Sequence, residues 1–120
     1  MLFAGGLLPI LLCHLHAAPE IPRFLSAQLQ APATDRLAHA FLRFDAADAG
    51  LRALGAYDRW LGLLDDPDAR AELESAGREQ AEASAVFGEA RRLGDELESG
   101  LLTLLFDTPL RALVREYGVF

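Results

Sequence analysis

Ten positions spaced alternately three and four apart, Leu73, Ala76, Gln80, Ala83, Phe87, Ala90, Gly94, Leu97, Leu101 and Leu104, constrain this chain more than any other feature. On an α-helix that spacing keeps every member on one face, so the stripe predicts a single long helix with a packing seam. Alanine and glycine leave little side chain between two backbones, and their recurrence in the seam predicts close approach of a second helix. The stretch before it supplies one, because Leu37, Phe41, Phe44, Ala47, Leu51, Leu54, Tyr57, Leu61 and Leu64 also recur at helical spacing.

The junction between the two stretches is the clearest local signal. Asp66 suits a helix cap, Pro67 fits the first helical position where its missing N–H costs nothing, and Asp68 complements the helix dipole. The sequence therefore predicts an all-α fold: an elongated antiparallel hairpin of two long helices, over 35–64 and 67–98, with shorter flanking helices. Thr34 or Asp35 is the expected cap of the first long helix, and Gly50 and Gly55 are its weak points. Pro22 opens a short helix to about Gln30, which Pro32 separates from that first long helix. Leu101 to Phe106 is expected to continue the seam helix. Thr108 and Pro109 then repeat the cap-then-proline signal for a short C-terminal helix over 109–117 that Gly118 ends.

A length of 120 residues suits a single all-helical domain over 1–120 with a core that needs no disulfide. Cys13, the sole cysteine, has no intramolecular partner. All 11 basic residues are arginine, with no lysine or asparagine, which reads as the codon bias of a GC-rich source. The chain is acidic, and unevenly so. Residues 65–98 hold eleven carboxylates against four arginines, a local net of −7, while the remainder balances seven against seven. That stretch repels phosphate backbones, so no nucleic-acid partner is expected.

Residues 1–18 form an uncharged apolar segment containing Leu2, Phe3, Leu7, Leu8, Ile10, Leu11, Leu12 and Leu15. It reads first as a packing helix that covers the hairpin. Two alternatives stand beside that reading: a short membrane anchor over residues 2–17, and an uncleaved signal leading to export. The corresponding expectation for localisation is cytoplasmic, with membrane-associated or exported as alternatives.

No complete chemical motif is present. On a helix His14 and His16 point to nearly opposite sides and do not converge on an ion. His39 follows Asp35 by four residues, the spacing of an ion pair on one helix face. No glutamate has a histidine three residues later, as a di-metal carboxylate bundle requires. Gly50 to Gly55 has the glycine spacing of a phosphate loop, but Ala56 and Tyr57 stand where lysine and a hydroxyl residue are needed. Tyr57 and Trp60 are expected to finish the core near the hairpin turn, and Arg91 and Arg92 to pair with neighbouring carboxylates. The expectations are accordingly no catalytic residues, no cofactor, no metal and no enzyme.

What remains is a surface for proteins. The sequence predicts a non-enzymatic helical interaction module, such as a structural subunit, adaptor or small regulatory binding protein. Its partner is another protein or a second copy, in a homo-oligomer or a larger complex. One alternative is an acidic immunity-like or antitoxin-like protein that neutralises a basic target. The other is a membrane-associated subunit anchored by residues 2–17.

Overall fold

In a computed structural model that describes residues 2–118, with side chains from Ala4 onward, the chain is an elongated bundle measuring 54 × 27 × 25 Å. Met1 and the side chains of Leu2 and Phe3, part of the apolar N-terminal segment, lie outside the described residues. Eight α-helices and no strand occur among the described residues: α1 (Leu2–Leu12), α2 (Ile21–Gln30), α3 (Ala33–Arg43), α4 (Ala47–Asp65), α5 (Pro67–Ser75), α6 (Arg78–Ala83), α7 (Ala85–Phe106) and α8 (Leu110–Tyr117). Two 3-10 turns, Cys13–Leu15 and Ala18–Glu20, carry the chain from α1 to α2. The spine is the antiparallel pair of α4 and α7, with α1, α3 and α8 packed around one end.

The first long helix expected over 35–64 is two helices, and neither glycine breaks it. Instead α3 closes through paired backbone bonds: the Ala46 N–H donates to the Phe41 carbonyl and the Asp45 N–H to that of Leu42. Between them Asp45 takes a left-handed backbone, φ 56°, which aspartate tolerates better than most residues. Gly50 stays inside α4 because Phe41 lies against it: a Cβ there would sit 2.8 Å from both Cβ and Cγ of Phe41. The cap expected at Thr34 or Asp35 is also absent, since α3 starts at Ala33 behind Pro32 with no side-chain cap.

The helix expected over 67–98 is cut twice. Its start is as anticipated, with Asp66 Oδ1 accepting from the N–H groups of Asp68 and Ala69. Then Ala76 and Gly77 turn extended, and Gln80 Oε1 accepts the Gly77 N–H to start α6. Ser84 turns extended in the same way, and its Oγ caps α7 by accepting the Phe87 N–H. The Ser84 hydroxyl also donates to Glu72 Oε1 and ties the two breaks together. Local side-chain caps, each worth about 1 kcal/mol, overrule the continuous heptad here.

Past its start α7 runs unbroken through Gly100 to Phe106, as the apolar continuation predicted. Gly100 is where the spine closes. A Cβ there would come within 2.6 Å of the Ala53 Cβ and 3.0 Å of the Ala49 carbonyl oxygen, so only glycine lets α7 lie this near α4. Thr108 then bridges two helices, its hydroxyl donating to the Leu104 carbonyl while accepting the Leu110 N–H. That places α8 with Leu110 and Val114 in the core, and Gly118 follows its end.

The N-terminal segment packs rather than anchors. Leu8, Leu11 and Leu12 of α1 are buried in the same core as Leu37, Phe41, Leu104 and Leu110. The membrane reading of residues 2–17 is overturned on two grounds: α1 has 11 residues, where a crossing needs about 20, and no helix among the described residues is long and apolar enough to cross a membrane.

Pro9 explains how α1 is locked. Proline has no N–H, so the Gly5 carbonyl loses its partner one turn ahead. Arg36 of α3 replaces it, with Nη1 donating to Gly5 O at 2.8 Å. The helices can meet so closely because Gly5 has no side chain: a Cβ would stand 2.8 Å from that of Ala33. Arg36→Met, which keeps the stem and removes the donor, is expected to destabilise by about 1 to 3 kcal/mol. In a Pro9→Ala background, where the alanine supplies its own amide to that carbonyl, chemical denaturation should show most of that cost gone.

Candidate interaction surface

The sequence seam is not one surface. Leu73 lies on α5, Ala76 just past its end, Gln80 and Ala83 on α6, and Phe87, Ala90, Gly94, Leu97, Leu101 and Leu104 on α7. Gln80, Ala83 and Gly94 are exposed, and Gly94 has open space above its Cα. The inward face of α7 follows Leu93, Leu97, Gly100 and Leu104, with Leu101 packed against the core beside them, and of these the sequence reading held Leu97, Leu101 and Leu104. Both series have the same spacing, so periodicity does not separate them. The depth of Gly100 does.

Around this spine the charged groups pair locally. Arg92 is bound by Glu89 and Glu96, and Arg59 of α4 reaches Glu96 at 2.7 Å across the helix pair. The Arg92 guanidinium holds the Glu89 carboxyl below its ordinary value through a hydrogen bond. Arg59 and Arg92 are exposed and the two glutamates half-buried, so these pairs fix side-chain positions more than they stabilise the fold.

Two of the three histidines make aromatic contacts. His14 stacks on Tyr117 with ring centroids 3.7 Å apart, while His16 stacks on Phe24 at 4.2 Å, with Nδ1 3.8 Å from Glu20. They face different neighbours and tie the turn after α1 to α8 and α2 respectively. The ion pair expected between Asp35 and His39 does not form; His39 instead borders a cavity of about 100 Å³ shared with His16, Gln28 and Arg43. No group of three or more histidine, cysteine or acidic residues that could hold a metal occurs among the described residues.

A concavity of about 810 Å³ opens between the α3–α4 and α7–α8 turns. Arg43, Arg52, Asp45, Asp48 and Asp107 border it, and no ion pair joins them. Its charges of both signs nearly cancel, and it is shallow and open, so it favours neither an anion nor a cation.

A second concavity has a clear character. Ala38, Phe41, Leu42, Ala47, Gly50, Leu51 and Leu54 line an almost wholly apolar groove of about 240 Å³ between α3 and α4. Two large side chains, Leu42 and Leu51, stand beside it 68% and 75% exposed. The cause is an inversion in α4, which buries its small residues, Ala49, Gly50, Ala53 and Ala56, against its neighbours and turns Leu51 and Leu61 outward. The sequence reading put Leu51, Tyr57 and Leu61 in one helical stripe and expected Tyr57 and Trp60 to finish the core. Tyr57 is half-buried and stacked near Trp60, which is itself partly exposed. No protein-family model, curated protein or solved structure matches the chain.

Proposed function

We propose that this chain is a non-catalytic helical module that acts by binding another protein through the outer face of α3 and α4. The inversion of α4 carries the reading. Close packing through glycine and alanine is what a helix pair needs for its own stability, and it leaves no structural use for large leucines on the opposite side. Single exposed leucines are ordinary on a protein surface, but here two flank one apolar groove. Covering them would return aliphatic surface to an apolar setting at about 25 cal/mol for each Å².

The test is a pair of surface substitutions, Leu42→Glu and Leu51→Glu, compared with the parent in affinity capture from native extract. Both side chains are exposed, so the variant is expected to keep the parent's melting temperature while losing a partner that the parent retains. A variant that keeps the partner as well as the parent does contradicts the assignment.

A further inference from the structure

We infer that the outer face of α4 receives a cationic amphipathic helix of the partner protein, an assignment that rests on the protein-binding reading above and names the partner's chemistry. Beyond the groove the face continues toward the C-terminal end of α4 in heptad register. Leu54 and Leu61 repeat seven apart, Gly55 and Gly62 repeat beside them, and Asp58 and Asp65 follow Leu51 at the same interval. Above both glycines the space is open, with nothing within 4 Å of where a Cβ would be. An incoming helix can therefore approach this backbone closely while the leucines meet its apolar side.

Charge selects the occupant. Asp58 and Asp65 are exposed and make no ion pair with any described residue. They also lie toward the part of α4 that runs beside the acidic 65–98 stretch, whose net is −7. Arginine or lysine flanking the apolar side of an incoming helix meets these carboxylates. In a two-fold pair of copies crossing at the middle of this face the two Asp58 carboxylates would meet with no cation between them, and an acidic or nucleic-acid partner would be repelled.

The probe is a helical peptide of about eighteen residues with leucine at heptad positions a and d and arginine at e and g, beside a twin carrying glutamate in place of arginine. Fluorescence anisotropy near physiological ionic strength should give saturable binding of one cationic peptide per chain, and none of the acidic twin. Reversing Asp58 and Asp65 to arginine should weaken the cationic peptide by about tenfold or more. Reversing Glu82 and Glu98, exposed acids off this face, should change it by less than about twofold.

Equal weakening by both reversals means diffuse attraction and overturns the assignment, as does the absence of saturable binding. Sedimentation of the parent as a dimer that Leu61→Glu dissociates gives the face to a second copy and overturns it too. If Leu42→Glu with Leu51→Glu loses the native partner but the Asp58 and Asp65 reversal keeps it, the protein-binding reading stands and the cationic helix falls. Retention of that partner by the Leu42 and Leu51 variant removes the parent reading instead.

Discussion

Removal of residues 1–18 is expected to abolish cooperative unfolding and leave an aggregating or unfolded chain. Three leucines of α1, Leu8, Leu11 and Leu12, lie in the core with Leu37, Phe41 and Leu104, and Arg36 is bonded to the Gly5 carbonyl. Burying three such side chains is worth about 5 to 9 kcal/mol, against a total stability of roughly 5 to 15 kcal/mol for a domain of ordinary size. The truncated chain also exposes Leu37 and Leu110, which are fully covered in the parent. Circular dichroism on heating checks the expectation. A sharp transition near the parent's midpoint, from a soluble truncated protein, would show that α1 is an accessory and not part of the core.

The second large effect is at Phe41, the largest side chain in the buried core, where α1, α3 and α4 come together. Phe41→Ala is expected to destabilise by about 3 to 5 kcal/mol, combining lost transfer energy with a residual cavity. Gly50→Ala should act at the same contact from the other side, costing about 1 to 3 kcal/mol because the new methyl meets Phe41 at 2.8 Å. The two are therefore coupled. In the Phe41→Ala background the added methyl has room, so urea denaturation should find Gly50→Ala nearly neutral or stabilising there. Simple addition of the two costs would show that Gly50 matters for some reason other than Phe41.

Legibility in the sequence followed the strength of the local chemistry. Asp66 with Pro67 admits one reading, a helix start, and the antiparallel arrangement of α4 and α7 follows from the turn they make. Thr108 before Pro109 signalled α8 for similar reasons. The interruptions were harder to read because each lies inside a pattern that continues across it. Gly77 with Gln80, and Ser84 with the Phe87 amide, are ordinary caps, yet leucine and alanine keep helical spacing on both sides. Asp45 carried even less warning: its left-handed backbone is imposed by the closure of α3, and Gly50, the more obvious breaker, is required within α4 for contact.

The candidate surface was hidden by a plausible assumption about size. Apolar periodicity says that a helix has apolar faces, and large residues are conventionally given the inner one. In α4 the assignment is reversed, since the approach of α7 at Gly100 leaves room only for Ala49 and Ala53. The misplacement of Leu51 and the missed role of Gly100 are thus one error seen from two helices. The small residues at 49, 53 and 56, set against the glycine at 100, were the signal available in the sequence.

Site-specific photo-crosslinking tests the central claim, that the outer face of α3 and α4 is where this protein meets its partner. A photoreactive residue is placed at Leu42 or Leu51, and in a control chain at Arg91, an exposed position on α7. In native extract the first two should give one shared adduct with a distinct protein, and the third should give none of it. The same adduct from all three positions, or none from Leu42 and Leu51, would contradict the account.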